Sequence, residues 1–284
     1  MKINWNFVDL MKKGRELYIN DIRFRDFFKE IINLKGYEKI LDVGCGIGTI
    51  PRLIYKIYKN MVQVFGIDID PNIIKWGQKY WGKPENIHLL QGDVYTLNFP
   101  KNEFNIITSF GLLEWLENPM RALDEMIRVK IEGGKFITLI IEKSKFKKLP
   151  IDKKDAYFYT EYLKGVKKMG CPIENEGDYV QELFLNRGII SNRYEYTFEY
   201  KAKITEKLIK LWEGAFTQSN YMKFIKSTME FYFQFLKCVG WTNEKFINYL
   251  KEELSLEKRI EFLREHLGED MIQKTTMVIL ESNK

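Results

Sequence analysis

The chain has 284 residues, 45% of them hydrophobic and 30% charged, with 45 Lys and Arg against 39 Asp and Glu. Those proportions describe a globular protein with one substantial core, and no apolar run approaches the roughly 18 residues needed to cross a bilayer. A formal net charge of +6 is ordinary for solubility at this length and falls short of the excess a dedicated nucleic-acid binder carries.

The first readable element is an amphipathic helix in ELYINDIRFRDFFKEIINLKG, where Leu17, Phe24, Phe27, Phe28, Ile31 and Ile32 recur at spacings of three and four and Gly36 supplies the stop. A short β-type run, KILDV, follows. Then come a helix at TIPRLIYKIYKN with Pro51 near its first turn, a strand at VQVFGIDI and a helix at PNIIKWGQKYW opened by Pro71. The alternation continues with strands at IHLLQ and FNIITSF, a helix at PMRALDEMIRVK, a turn at Gly133 and Gly134, and a strand at KFITLII. Strands alternating with helices imply a parallel sheet covered on both faces.

Beyond residue 141 the rhythm changes. The stretch EKSKFKKLPIDKK gathers Lys143, Lys145, Lys147, Lys148, Lys153 and Lys154, and DAYFYTEYLKGVKKMGCP reads as loop-rich and aromatic. A helix at DYVQELFLNRG and a strand at SNRYEYTFEYKAK come next. Four helical patterns follow, at TEKLIKLWEGAF, YMKFIKSTMEFYFQFLKCVG, NEKFINYLKEEL and LEKRIEFLREHLG, before a last strand at TTMVILES. The aromatic residues of this half read mainly as packing between helices, with a few left to line a pocket.

Chemistry concentrates in ILDVGCGIGTI, where Gly44, Gly46 and Gly48 sit between a strand and a helix. Glycines there let a ligand approach the backbone, and the helix N-terminus behind them offers unpaired amides. The last two glycines are two apart rather than three, which disfavours a dinucleotide fingerprint, and no lysine follows to make a Walker A loop. Asp68 ends the next strand about 20 residues on, the place from which a carboxylate accepts both hydroxyls of a ribose. Asp70, just before Pro71, fits a helix N-cap better. Asp93, after Gly92, is placed either to accept from an adenine amine or to form a turn.

Taken together, ILDVGCGIG, VFGIDIDPNII, LLQGDV, FNIITSFGLLEWL and MIRVKIEGGKFI resemble, in order and spacing, the class I S-adenosylmethionine-dependent methyltransferases. The resemblance covers roughly residues 36–142. It implies a Rossmann-like α/β fold: a seven-stranded sheet with the last strand antiparallel, helices on both faces, and S-adenosylmethionine at the C-terminal ends of the first four strands. It further implies that Asp42 and Gly44 hold the methionine moiety, with Cys45 and Gly46 lining the cofactor, and that Asp68, with Ile69 beside it, binds the ribose. Asp93 and Val94 would then meet the adenine, and the backbone at Ser109 and Phe110 the transferable methyl. Where the family often shows an acidic residue and histidine, this chain has Glu114 and Trp115. Glu114 is the best-placed ionisable residue for catalysis, with a helix-capping or surface role as the competing reading; His88 and His266 read as structural.

On this reading residues 1–35 form an N-terminal helical segment, 36–203 with 274–284 the core, and 204–273 a helical lid between the sixth and seventh strands. The lysine-rich stretch and the lid both leave from the cofactor side, where long connections often bind substrate. The expected function is methyl transfer from S-adenosylmethionine to an oxygen or nitrogen of a small organic molecule under the lid. An RNA-modifying enzyme of the same fold and a catalytically silent cofactor-binding protein are the alternatives. The N-terminus shows no secretory pattern, so a cytoplasmic protein is expected. Cys45, Cys171 and Cys238 lack CxxC spacing, so neither a disulfide framework nor a metal is expected. Oligomeric state is left open.

Overall fold

A computed structural model describes residues 16, 18–36, 38–82 and 84–283. In chain order the elements are α1 (Ile22–Ile32), β1 (Glu38–Val43), α2 (Thr49–Tyr58), β2 (Val62–Asp68), α3 (Pro71–Trp81), β3 (Ile87–Gln91), β4 (Phe104–Phe110), α4 (Pro119–Val129) and β5 (Lys130–Ile141). They continue with β6 (Lys147–Leu149), α5 (Lys153–Lys168), α6 (Glu176–Leu185), β7 (Asn192–Lys203), α7 (Glu206–Ala215), α8 (Gln218–Leu236), α9 (Asn243–Glu252), α10 (Leu256–Glu265) and β8 (Asp270–Asn283). The strands run in the order β3-β2-β1-β4-β5-β8-β6, and β7 also pairs with β8. This is the expected α/β Rossmann-like sheet, with β8 antiparallel to β5. It has eight strands rather than seven because β6, from within the lysine-rich stretch, pairs with β8 through Lys147 to Leu149.

The chain divides into two compact units, one made of residues 16–142, 175–196 and 277–283, the other of 143–174 and 197–276. In the first, β1 is flanked by β2 and β4, each parallel to it, and β5 continues the parallel set beyond β4. Ile40 to Val43 are all buried, as both faces of a covered parallel sheet require. Leu41, Val43, Ile107, Phe136, Ile140 and Phe184 form the centre of this core. α1 starts at Asp21, whose carboxylate accepts from the Phe24 amide at 3.1 Å, and buries Phe24, Phe28, Ile31 and Ile32. It ends at Asn33, in the left-handed region at φ 41°, rather than at Gly36, because asparagine also tolerates that conformation. Leu17 lies outside the described residues.

The turn expected at Gly133 and Gly134 lies inside β5, which begins at Lys130 and breaks register against β4 between Phe104 and Ile106. A Cβ on Gly134 would sit 2.6 Å from the Asn105 carbonyl oxygen, so the glycine serves strand contact as well as a change of direction.

In the second unit the stretch read as loop-rich is α5, a 16-residue helix capped by Asp152, whose carboxylate accepts from the Lys154 amide at 2.8 Å. Phe158, Tyr162, Gly165 and Val166 form its buried stripe. Gly165 lets the backbones meet: a Cβ there would collide with the Phe235 carbonyl of α8. Around this contact the rings pack with one another. Phe158 stacks on Tyr249 at 5.8 Å, Tyr162 meets Phe235 edge-on at 5.2 Å, and Phe233 stacks on Phe246 at 4.4 Å. Residues 204–273 lie within this unit.

Two glycines should respond oppositely to alanine. In α3, a Cβ on Gly77 would stand 2.7 Å from the Ile47 carbonyl oxygen, so Gly77→Ala forces helix and loop apart and should cost about 1–3 kcal/mol, as overpacking does. Gly214, exposed in α7 with nothing within 4 Å of the added methyl, should gain about 0.5–1 kcal/mol from better helix propensity. Thermal unfolding of the two full-length variants, followed by circular dichroism, checks the opposed signs.

Candidate active site

From β1 the chain winds outward through β2 to β3 and then returns to β4 on the other side of β1. Connections from β1 and β4 therefore diverge, and open α/β sheets bind ligands in the crevice at that reversal. Register keeps the strand ends level: Val43 lies opposite Ile67 and Ser109, and Asp68 opposite Gln91. The glycine loop after β1, Asp68 and Ile69 after β2, Asp93 and Val94 after β3, and Gly111 after β4 thus share one edge of the sheet.

Gly44, Gly46 and Gly48 all have positive φ, at 70°, 53° and 82°. The first and last also have no room for a side chain: a Cβ on Gly44 would be 2.8 Å from Leu112, and one on Gly48 2.9 Å from Leu89. Gly48 is the N-cap residue of α2 and brings no capping side chain. The helix therefore presents its amide end at the loop, where backbone N–H groups favour oxygen ligands. The loop is pinned to β2 by the Cys45 amide, which donates to the Ile67 carbonyl at 2.8 Å. Cys45 is buried, its Sγ filling the space left by Gly66, where a Cβ would lie 2.9 Å away.

Asp68 closes the same loop. Its Oδ2 accepts from the Gly46 amide at 2.9 Å and its Oδ1 from the Asp70 amide at 3.1 Å, so both oxygens are oriented by backbone. Asp70 does cap α3, accepting from the Asn72 amide at 2.8 Å. Ile69, between them, is 66% exposed. Asp93 forms a turn, with Oδ1 accepting from the Tyr95 amide at 2.9 Å and its carbonyl from the Thr96 amide at 3.1 Å. Val94, next to it, is half-buried.

Asp42 and Ser109 face inward. Asp42 is buried and accepts from the Thr108 hydroxyl at 2.7 Å, tying β1 to β4 beside the crevice. The Ser109 hydroxyl donates to Thr138 at 3.3 Å, and Phe110 packs edge-on against Tyr18 at 5.7 Å. What Ser109 offers the crevice is its backbone. Glu114 is only 3% exposed, and α4 takes its cap from Asn118, which accepts from the Arg121 amide at 3.1 Å. A surface role falls away for Glu114, and the cap of α4 is another residue; its Oε1 lies 3.8 Å from where a Cβ on Gly111 would be. His88 stacks on Phe65 at 4.7 Å, and His266 Nδ1 lies 2.8 Å from the Phe262 carbonyl oxygen.

Sequence reading missed Leu89, Leu112 and Thr108. Leu89 is the common neighbour of Gly48, Gly66 and Gly77, and isolated glycines inside a strand and a helix were the available signal of that close approach. Among the described residues no group of three or more His, Cys, Asp and Glu side chains is placed to hold a metal ion. Among them, too, no helix is long and apolar enough to cross a membrane.

Residues 41–138 match the family model described as a methyltransferase domain. The demethylmenaquinone methyltransferase of Staphylococcus carnosus is 29% identical over 157 residues, which is 55% of this chain and 64% of that one. Protein 235L of Invertebrate iridescent virus 6 is 24% identical over 251 residues, 84% of this chain and 89% of its own. Among solved structures, the YcgJ protein of Bacillus subtilis superposes with a TM-score of 0.50 at 17% identity, covering 92% of this chain and 98% of that one. The MccD protein gives 0.52 at 15% identity, covering 92% and 96%. Both of these likenesses concern the fold. The domain match and the strand order agree: residues 41–138 carry a methyltransferase domain, of the kind that takes S-adenosylmethionine as methyl donor, on a Rossmann-like α/β sheet.

Proposed function

We propose that the chain transfers a methyl group from S-adenosylmethionine to an oxygen or nitrogen atom of a small organic molecule, with the donor lying along the glycine loop. The observation that carries this reading is the Asp68 carboxylate held to the Gly46 amide at 2.9 Å at the end of β2. An oriented carboxylate there suits a pair of vicinal hydroxyls, and the side-chain-free loop suits a ligand drawn close to the backbone. Ile69 offers an exposed apolar surface for an adenine face, with Asp93 and Val94 at the next strand end for its edge. Gly44, Cys45 and Gly46 would line the remainder, Asp42 would support the methionine end through β1, and the backbone at Ser109 and Phe110 would face the methyl.

A sulfonium supplies an already activated methyl group, so the protein mainly has to hold the acceptor atom in line with it. Such chemistry asks for placement more than for proton transfer, and His88 lies near the start of β3, away from its C-terminal end. The staphylococcal relatives are named for demethylmenaquinone, which supports a small organic acceptor. The mild net charge of +6 is in keeping with it.

Asp68→Ala should weaken S-adenosylmethionine binding by about 10- to 100-fold, the size of a lost hydrogen-bonding pair to a charged group. Isothermal titration measures this directly, and wild-type affinity in the variant would overturn the placement of the donor. Once an acceptor is found by scanning for S-adenosylhomocysteine release, Glu114→Gln should keep kcat within about tenfold, since a required general base contributes about 10²- to 10⁴-fold. A larger fall, with donor affinity intact, would make Glu114 the base.

A further inference from the structure

The second unit contains a cavity of about 590 Å³, and the described residues lining it all come from 143–174 or 197–276. That volume lies in the range of pockets that enclose drug-sized ligands. Most of the wall is apolar, including Phe158, Trp212, Ile225, Met229 and Tyr232. Leu149, Ile151 and Phe224 line it while remaining 51%, 50% and 38% exposed, and they mark its opening to solvent.

One part of the wall is charged. Asp155 Oδ1 accepts from Arg259 at 2.8 Å, and Asp155 Oδ2 accepts both from Arg259 at 3.0 Å and from Lys148 at 2.7 Å. Two cations thus face one carboxylate, and the exposed Lys147 lines the cavity beside them. Burial alone would raise the Asp155 pKa, but the Arg259 hydrogen bond and the charges of Lys148 and Arg259 hold it below the usual carboxylate range. Tyr221, bonded to Arg259, is pushed upward by burial and stays a neutral phenol. Lys148 and Arg259 therefore set two cationic side chains against the single carboxylate of Asp155.

An apolar chamber whose charged wall is cationic on balance, Lys147, Lys148 and Arg259 against Asp155, discriminates sharply. A cationic ligand meets repulsion, and a neutral hydrocarbon leaves the charge unanswered. We propose that this cavity binds a monoanionic amphiphile, a carboxylate on an apolar body, with the carboxylate at Lys148 and Arg259 and the body against Phe158, Phe224 and Met229. The proposal concerns this unit alone and does not depend on the identity of the methyl acceptor. A long aliphatic chain and a fused aromatic ring satisfy the same chemistry, so both are tested.

Dodecanoate and 1-pyrenebutyrate are titrated into the full chain by calorimetry, alongside their methyl esters. At least one acid should saturate a single site and exceed its own ester by tenfold or more; whichever binds names the body. Lys148→Met, which leaves the Asp155 to Arg259 pair in place, should weaken the acid about tenfold and bring it close to the ester. Met229→Trp, which fills the chamber, should abolish binding while S-adenosylmethionine titrates as in wild type, showing that the variant is folded. Saturation by neither acid, equal affinity for acid and ester, or unchanged binding in Met229→Trp would each overturn the proposal.

Discussion

The hydrogen bond from the Gly46 amide to Asp68 joins two features of the crevice, a backbone without side chains and a carboxylate with a fixed aim. It spans the loops after β1 and β2, so it forms only when those strands pair in the register that sets Asp42 beside Gly66 and Val43 beside Ile67. A slip of one residue would turn every side chain of β1 to the opposite face and carry the glycines away from Asp68. Packing enforces the register: Leu89 of β3 fills the spaces left by Gly48, Gly66 and Gly77, clamping loop, strand and helix with one side chain. The geometry of the crevice is therefore a property of the hydrophobic core beneath it.

That dependence explains what could be read from the residues alone. Alternating strands and helices, the three glycines and Asp68 are local patterns, and local patterns survive in a linear reading. Even Asp70 was separable from Asp68, because a residue before proline at a helix start has few other uses. Leu89 and Thr108 were not legible, since nothing in IHLLQ or FNIITSF distinguishes a leucine that fills three glycine sites or a threonine that donates to Asp42. Their roles exist only after the strands pair. Glu114 shows the same limit from the other side: its sequence neighbourhood allowed a cap or a surface position, and only tertiary packing buries it below Gly111.

The stretch DAYFYTEYLKGVKKMGCP failed as a helix in the linear reading for a physical reason. Four aromatics in six residues blur the 3.6-residue period, and glycine and a late proline look like loop signals. In the folded unit Gly165 is the close contact with α8, Tyr162 packs on Phe235 beside it, Phe158 and Tyr159 line the cavity, and Tyr157 stays exposed. Intrinsic propensity ranks Gly165 as a weakness, yet the backbone approach it permits outweighs that cost. Tertiary contact decided the element.

The lysine-rich stretch carries this furthest. As sequence it is a run of like charges, whose ordinary place is a solvated loop. Folded, its members have separate fates: Lys147 to Leu149 become β6, Lys148 pairs with Asp155, Lys154 with Glu253, and Lys143 is buried with its amine 3.9 Å from Cys171 Sγ. Arg259 is largely enclosed, at 11% side-chain exposure, while Lys148 keeps 30%, so the two cations on Asp155 bring a partly hydrated positive charge to the edge of an otherwise apolar chamber. A partner that arrives with its own negative charge would answer that excess, and this complementarity is what the proposed carboxylate ligand rests on.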